Sequence, residues 1–433
     1  MQLFGTSGIR GIVNRELVNL AFKVGMAVGE TYHSVVIGSD TRTSGDVLKH
    51  AVISGLLAAG AGYDDAGIVP TPTLAYITRE YDAGIIITAS HNPPEYNGMK
   101  LVNPDGSAFD ASQRKQLEES VAGDNFIIAP WVEMKGSSIR SGAIEEHIDR
   151  ILQDFPAKLK LKVVVDAGCG AASLVTPRLL EKLGCEVITQ DCHPCGCFPR
   201  GIEPTESNLK KLMETTKENG ADLGIAHDGD ADRMMAVDDK GRFIPGDSLL
   251  AIFARLVGAK EMVTTVDASM AIDEMEFNAR RVRVGDVYVS EELRNGGNFG
   301  GEPSGSWVFP SISFCPDGIY AAAQIASIAS RQKLSELVDS IPVYPILRGD
   351  VSSNGVVIAD LESRLITLKS LSTSNVDGIK LNFKDGWLLV RASGTEPIIR
   401  LTAESNSEKR VRQLYDAGLR AIKESVRGKE KVA

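Results

Sequence analysis

Short β-branched runs alternate with helical stretches along most of this chain. Residues Ala83–Ala89 form a continuous apolar run, as a strand buried on both faces requires. The same reasoning predicts strands at Ser34–Gly38, Lys162–Asp166 and Ala221–Ala226, and helices at Asp46–Ala61, Pro177–Leu183 and Glu206–Asn219. This alternation favours α/β sheets whose strands are joined by crossover helices.

The strand-and-loop unit recurs near residues 34, 83, 162, 221 and 262, which indicates several α/β units in series. The last segment differs, because Gly378–Phe383, Gly386–Val390 and Ile398–Ala403 have the pattern of antiparallel strands and Ser407–Val426 that of a closing helix. At roughly 150 residues per domain, the length alone indicates about three domains. We expect α/β domains at 1–150, 151–250 and 251–345, and a smaller α+β domain at 346–433.

Composition excludes several classes of function. The chain has 47 basic and 57 acidic residues, so its net charge of −10 disfavours binding to nucleic acid or to an anionic membrane. It contains no apolar run of 18 residues, and Met1–Gly5 lacks the features of a signal peptide. Six cysteines in 433 residues do not form a disulfide framework. We therefore expect a cytoplasmic protein with reduced thiols and neither nucleic acid nor membrane as a partner.

A serine follows the most apolar of these runs. Ser90 comes directly after Ala89, His91 and Asn92 follow it, and two prolines stiffen the loop that Lys100 closes. In open α/β sheets, ligands bind at the edge where strands end. An ordinary turn fits these residue types equally well, so the segment alone leaves both interpretations open.

Three aspartates alternate in the segment from Asp228 to Arg233, again after a predicted strand. Asp228, Asp230 and Asp232 could together bind Mg²⁺, which prefers oxygen ligands. An EF-hand is excluded, since its twelfth position would be Asp239 instead of glutamate. A solvated acidic turn remains an alternative, as does an aspartyl-phosphate nucleophile, which would leave Ser90 unexplained.

Two further loops carry polar groups suited to a sugar phosphate. Glu302 and Ser304 lie in a glycine-rich loop and could bind adjacent sugar hydroxyls, although a plain loop fits as well. Arg391 and Arg400 bracket a Ser-Gly-Thr turn whose hydroxyls, N–H groups and guanidinium groups suit a phosphate dianion. A structural arginine beside a β-turn is the alternative there.

Together, these motifs resemble the α-D-phosphohexomutases. The resemblance begins at Phe4–Gly11, ends at Arg400 and keeps all four motifs in the family order. It implies three α/β domains with mixed sheets and a smaller C-terminal domain around one central cleft. It also implies isomerisation of a hexose phosphate, with Mg²⁺ as cofactor and a hexose 1,6-bisphosphate as activator and intermediate.

The resemblance also implies roles for individual residues. Ser90 would carry a phosphoryl group and, with Asp228, Asp230 and Asp232, bind Mg²⁺. Arg10 and Lys100 would handle protons and stabilise charge near the phosphoserine, His91 would be a further catalytic residue beside it, and Arg233 would bind substrate. Glu302 and Ser304 would contact the sugar. The phosphate that is not being transferred would be bound by Arg391, Ser393, Gly394, Thr395 and Arg400.

Two segments indicate a branch of the family. Gly5–Gly11 and Val284–Val289 resemble phosphoglucosamine mutases, with archaeal-type members most similar, so we expect conversion of glucosamine 6-phosphate to glucosamine 1-phosphate. Ser306-Trp307 and Ala231 depart from the bacterial members of that branch. The alternatives are a phosphomannomutase/phosphoglucomutase and, from another class, a Mg²⁺-dependent sugar-phosphate phosphatase. The oligomeric state stays open between a monomer and a homodimer.

Three cysteines lie close together at Cys192, Cys195 and Cys197. Their spacing is more compressed than that of a usual structural zinc site, which has a second ligand pair further along the chain. The sequence therefore predicts free thiols in a loop of the second domain.

Overall fold

The computed structural model describes residues 3–5, 8–354, 356–393 and 397–426, and these residues form four β-sheets in succession. The sheets of the first three units are mixed, and the fourth is antiparallel throughout. The predicted fold class, three α/β units followed by a smaller α+β unit, is confirmed. The boundaries at 150, 250 and 345 remain a prediction.

The first unit has six strands. They are β1 (Ile9–Ile12), β2 (Ser34–Ser39), β3 (Gly62–Ile68), β4 (Ala83–Ile87), β5 (Tyr96–Val102) and β6 (Ser137–Ile139). Its helices are α1 (Arg15–Thr31), α2 (Gly45–Ala58), α3 (Thr71–Ile77) and α4 (Ala111–Gly123). The spatial order is β1-β5-β4-β2-β3-β6, and β5 runs antiparallel to both of its neighbours. Strand β4 is wholly buried and lies between β5 and β2. The loop that follows it therefore begins at the carboxyl end of a central strand.

Strand β5 differs from the sequence-based expectation, which has Lys100 closing a loop. Tyr96–Val102 instead pairs with both β1 and β4, and Lys100 lies opposite Ile86 within the ladder. Asparagine, glycine and lysine are poor strand formers, so local propensity hides this strand. Its place in the sheet comes from its two neighbours and from the carboxylates that Lys100 meets there.

The second and third units each have four strands. In the second these are β7 (Lys162–Asp166), β8 (Glu186–Gln190), β9 (Leu223–His227) and β10 (Met234–Val237), with helices α5 (Ala143–Leu152), α6 (Thr176–Lys182) and α7 (Lys210–Glu218). In the third they are β11 (Glu261–Thr265), β12 (Asn278–Val282), β13 (Gly300–Gly301) and β14 (Trp307–Val308), with α8 (Gly246–Leu256), α9 (Asp286–Leu293), α10 (Gly318–Ala329) and α11 (Leu334–Asp339). One hydrophobic core runs through both units, from Ile148 to Ile341. They therefore pack as one continuous body.

The last unit has its own, smaller core. Its strands are β15 (Ile346–Ser352), β16 (Ser372–Ser374), β17 (Ile379–Phe383), β18 (Gly386–Ala392) and β19 (Ile398–Ser405), in the order β15-β19-β18-β17-β16, and its helices are α12 (Ile358–Ile366) and α13 (Glu408–Glu424). A small apolar cluster of Val266, Trp387 and Leu389 joins this unit to the third. Within the described ranges, no helix has the length and apolar character needed to cross a bilayer.

Candidate active site

Ser90 lies in a tight turn just beyond β4. It is 1% exposed, and its backbone has a φ of +50°, a conformation that L-residues adopt rarely. Its N–H donates to Thr88 Oγ1 at 2.9 Å, and its carbonyl accepts from Arg42 Nη2 at 2.9 Å. Its Oγ donates to Asp228 Oδ2 at 2.7 Å. The turn is thus held from several sides, with the hydroxyl directed at the aspartate loop of the second unit.

The aspartate loop leaves β9 and turns back into β10. Asp228, Asp230 and Asp232 are all buried, and each offers a carboxylate oxygen within 4.8 Å of the others. Burial, followed by the charges of Asp232 and Asp230, raises the pKa of Asp228 well above its usual value. Oδ1 of Asp230 and Oδ1 of Asp232 are buried without a hydrogen-bond partner in the described structure. Unsatisfied buried carboxylate oxygens are costly, and this donor set fits Mg²⁺.

Lys100 reaches the same loop from β5. Its Nζ donates to Asp230 Oδ2 at 2.7 Å and also to Asp232 Oδ2. Burial acts to lower the pKa of Lys100, but these two carboxylates outweigh that effect and raise it above its usual value. The ammonium therefore balances part of the negative charge that the three aspartates concentrate.

Three more of the predicted site residues surround the serine turn. His91 Nδ1 lies 3.3 Å from Ser90 Oγ, and Arg10 Nη1 donates to Asn92 Oδ1 at 2.9 Å. Arg233 Nη1 donates to Glu203 Oε1 at 2.6 Å. The positive charge of Arg233, together with burial and the charges of Arg10 and Lys100, lowers the pKa of His91 to about 2. The imidazole of His91 is therefore neutral at physiological pH.

Glu302 lies in the loop between β13 and β14. Its Oε1 accepts from the Gly285 N–H at 2.5 Å, and its Oε2 accepts from Ser304 Oγ at 3.0 Å. Burial and the nearby carboxylates of Asp286 and Asp267 raise the pKa of Glu302 to about 7. Ser304 is thus a hydrogen-bond donor to Glu302. It lines a neighbouring cavity of about 480 Å³ that Glu302 also borders.

The last loop joins β18 to β19. Arg391 and Arg400 are paired across these strands, and the Ser393 N–H closes the hairpin on Ile398 O at 2.9 Å. Arg391 Nη1 lies 3.7 Å from Asp377 Oδ2, which also accepts from the Val284 N–H at 3.1 Å. The loop is thereby tied to the third unit. The predicted phosphate-binding residues Gly394 and Thr395 lie outside the described residues.

One cavity of about 670 Å³ brings the four loops together. Of the predicted site residues, its lining includes Arg10, Ser90, His91, Asp232, Arg233, Glu302, Arg391, Ser393 and Arg400. Asp228, Asp230 and Lys100 lie buried behind it, linked through Ser90 and Asp232. This volume is ample for a hexose carrying two phosphates. Cationic groups from the first and last units thus face a common space with the serine and its aspartates.

The structure adds residues that sequence reasoning missed. Thr71, at the start of α3, donates from Oγ1 to Asp230 Oδ2 at 2.5 Å. Arg42 donates to four carbonyls of the serine loop: Ser90, Asn92, Pro93 and Tyr96. Asp286, the first residue of α9, also lines the cavity, whereas the sequence of its segment indicates only a branch of the family. No local pattern around Thr71 or Arg42 could have marked them.

Comparison with known families identifies the architecture. Profiles described as phosphoglucomutase/phosphomannomutase alpha/beta/alpha domains I, II and III match residues 1–127, 145–241 and 245–344, and the C-terminal domain of the same family matches 353–420. The chain belongs to the phosphoglucomutase/phosphomannomutase family. As a phosphohexomutase it is an enzyme of the isomerase class, and the resemblance drawn from the four motifs is confirmed.

Curated relatives of this phosphohexomutase cover nearly its whole length. A protein of Methanococcoides burtonii, named "Probable phosphoglucosamine mutase", is 49% identical over 94% of this chain and 95% of its own. A protein of Methanocaldococcus jannaschii, named "Phosphoglucosamine mutase", is 41% identical over 98% of this chain and 99% of its own. These archaeal proteins support the branch expected from the sequence.

Among solved structures, this phosphohexomutase is similar to a phosphoglucomutase/phosphomannomutase family protein of Burkholderia thailandensis. The two superpose with a TM-score of 0.88 at 28% identity, over 98% of this chain and 97% of that one. The arrangement of the four units is therefore that of an experimentally determined member of the family.

Proposed function

We propose that this phosphohexomutase interconverts glucosamine 6-phosphate and glucosamine 1-phosphate through a phosphorylated Ser90. The observation that carries the proposal is the 2.7 Å hydrogen bond from Ser90 Oγ to Asp228 Oδ2. It joins a cavity-lining hydroxyl to a buried carboxylate cluster, while Arg391, Ser393 and Arg400 line the same cavity. A nucleophilic oxygen beside a cation site and a separate anion-binding loop together suit transfer of one phosphoryl group while a second phosphate is held.

Mg²⁺ would be held by Asp228, Asp230 and Asp232 with an oxygen on Ser90, and when bound it neutralises charge that develops during phosphoryl transfer. The protein side chains do the remaining work by positioning and electrostatics. Arg10 and Lys100 place positive charge beside the serine turn. Arg391 and Arg400 bind the phosphate at the other end of the sugar, which orients the hydroxyl that will react.

The isomerisation takes place in two phosphoryl transfers. In the first, the bond between phosphorus and Ser90 Oγ breaks, and a sugar hydroxyl oxygen forms a new bond to phosphorus and loses its proton. The departing Ser90 Oγ takes up a proton, and the resulting 1,6-bisphosphate reorients in the cavity. In the second transfer, the bond from phosphorus to the other sugar oxygen breaks, Ser90 Oγ loses its proton and forms a new bond to that phosphorus, and the sugar oxygen that leaves gains a proton. Asp230 and Asp232 raise the pKa of Lys100, so this residue stays an ammonium group, and the neutral imidazole of His91 is the candidate for accepting the hydroxyl proton. The bisphosphate is thus both the intermediate and the activator that we expect to prime Ser90.

A carboxylate in the cavity supports an amino sugar as the substrate. Asp286 lines the cavity at the start of α9, next to Gly285, whose N–H binds Glu302. The C2 substituent of glucosamine phosphate is an ammonium group, which a carboxylate binds more strongly than it binds a hydroxyl. We therefore assign recognition of the C2 amine to Asp286 and recognition of sugar hydroxyls to Glu302.

The test is ³¹P NMR of the purified protein with Mg²⁺ and a trace of glucose 1,6-bisphosphate. Glucosamine 6-phosphate, glucose 1-phosphate and mannose 1-phosphate are supplied in separate samples. We expect the glucosamine compound to be converted fastest. Faster turnover of the glucose or mannose compound would move the substrate to the phosphomannomutase/phosphoglucomutase branch, and inorganic phosphate as the sole product would indicate a phosphatase. The cytoplasmic location, the absence of nucleic-acid partners and the choice between monomer and homodimer stay predictions.

A further inference from the structure

Three cysteine sulfurs from two distant segments meet beside the active site. Cys169 follows β7, whereas Cys195 and Cys197 lie in the loop that follows β8. Their Sγ atoms all lie within 4.8 Å of one another. The sequence predicts free thiols at Cys192, Cys195 and Cys197. Cys169 lies 26 residues before Cys195, and only the fold brings it to Cys195 and Cys197.

Backbone contacts hold the two segments together. The Cys169 N–H donates to Asp191 O at 2.6 Å, and the Gly196 N–H donates to Cys169 O at 3.2 Å. Gly196 has a φ of +62°, and a Cβ atom there would lie 2.1 Å from Thr41 O, so glycine is required between the two exposed cysteines. The position of the three thiols is therefore set by the backbone and does not depend on side-chain contact alone.

We propose that Cys169, Cys195 and Cys197 form a binding site for a thiophilic metal ion such as Zn²⁺. Thiolate sulfur is a preferred ligand of zinc, and Zn–S bonds of about 2.3 Å place the sulfurs of a tetrahedral site about 3.8 Å apart. Small side-chain rotations would bring this cluster to that spacing. Each thiol gives up its proton to solvent as the ion binds, and water completes the coordination on the exposed side.

The three sulfurs differ in exposure to solvent, and the Cys195 and Cys197 sulfurs lie 2.7 Å apart. Cys169 is buried, whereas the other two are exposed. The ion would thus enter from solvent and be anchored by the buried sulfur.

The site lies behind the reactive serine turn. Thr41 Oγ1 donates to Cys169 O at 2.9 Å, and Arg42, which binds the Ser90 carbonyl, lies 5.2 Å from the ring centre of Phe198. Phe198 directly follows Cys197. A bound ion would therefore brace the contact between the first and second units without touching substrate.

The test uses the full chain, reduced, stripped of metal with a chelator and returned to chelator-free buffer. Cobalt(II) is titrated first, because cobalt–thiolate bonds give a near-ultraviolet charge-transfer absorption that oxygen ligands do not. Zinc is then added to displace the cobalt, and bound metal is measured by elemental analysis. We expect one thiolate-bound ion per chain and a thermal unfolding midpoint that rises with added zinc.

The main variant is the double substitution Cys195→Ser, Cys197→Ser, which changes exposed side chains and should leave the fold intact. It should lose the charge-transfer absorption and the zinc-dependent rise in midpoint. Cys192→Ser is the matched control, since its sulfur contacts the Val165 and Gln190 carbonyls and lies outside the cluster. The proposal is overturned if the reduced wild-type chain gives no charge-transfer absorption, if the double variant gives the same absorption, or if thiol counting finds Cys195 and Cys197 joined in a disulfide under these reducing conditions.

Discussion

The Lys100 Nζ atom lies 2.7 Å from Asp230 Oδ2, which places an ammonium group within the buried aspartate cluster. Removing it by Lys100→Ala leaves uncompensated buried carboxylates, a change that costs about 3–5 kcal/mol in comparable cases. We expect a large fall in the thermal unfolding midpoint without divalent ions and a smaller fall with Mg²⁺, because the ion supplies positive charge in place of lysine.

Calorimetry with chelator and with Mg²⁺ measures both effects. Lys23→Ala is the control, because Lys23 forms a partly exposed ion pair with Asp124 and such pairs contribute little. Equal falls for Lys100→Ala under both conditions would mean that the aspartates do not bind the ion.

Ser90 is expected to carry the transferred phosphoryl group. The variant Ser90→Ala should reduce mutase turnover to background, because it removes the oxygen that forms the enzyme–phosphorus bond. Incubation with ³²P-labelled glucose 1,6-bisphosphate should label the wild-type chain and leave this variant unlabelled. Ser54→Ala, on the exposed face of α2, should behave as the wild type. Near-normal turnover by Ser90→Ala would rule out the phosphoserine mechanism.

Glu302 should impose an acidic limit on activity. Burial raises its pKa to about 7, so below that pH it is protonated and cannot accept two hydrogen bonds from sugar hydroxyls. We expect kcat/KM to fall by about tenfold per pH unit below this value, as for a single required carboxylate. Glu302→Gln should have lower activity throughout and should lack this limb of the pH profile. If the variant keeps the same acidic limb, another group, such as the substrate phosphate, is responsible.

Asp286 should distinguish amino from hydroxyl sugars. Losing a charged hydrogen bond of about 1.5–3 kcal/mol lowers affinity by about tenfold or more. We therefore expect Asp286→Asn to lower the ratio of kcat/KM for glucosamine 6-phosphate to that for glucose 6-phosphate by at least this factor. Asp267→Asn is the control, because Asp267 lines the neighbouring cavity. An unchanged ratio would remove Asp286 from substrate selection even if overall activity fell.

Glu404 anchors the last unit to the third. Its carboxylate accepts from Ser269 Oγ, from the Met270 N–H at 2.7 Å and from Trp387 Nε1 at 2.6 Å, and the residue is 1% exposed. Glu404→Gln turns one acceptor oxygen into a donor, so at least one of these buried donors loses its partner, at about 1–3 kcal/mol. Because Arg391 and Arg400 belong to the same unit, we expect KM to rise more than kcat falls.

Steady-state kinetics and thermal unfolding of Glu404→Gln measure this effect. Glu408→Gln, an exposed position at the start of α13, serves as the control. A fall in kcat with unchanged KM would contradict an anchoring role and point instead to a direct part in chemistry.

The local chemistry of the site could be predicted from the sequence. Ser90 and the Asp228–Asp232 loop each follow an apolar strand, and strand ends are where sheets present ligand-binding groups. The arginine-bracketed turn is likewise a contiguous pattern. The chemistry of such motifs can be predicted from the sequence because both the turn geometry and the chemical groups come from residues next to one another.

Which motifs and single residues come into contact depends on the tertiary structure. Lys100 enters the aspartate cluster because β5 inserts between β1 and β4, and Cys169 reaches Cys195 because β7 and β8 are parallel neighbours. Asp286 faces the cavity because α9 begins beside the Glu302 loop. The contacts of Lys100 and of Cys169 join residues 26 to 132 positions apart. They depend on which strands pair and which faces are buried, so they follow from packing of the whole chain and not from local propensity.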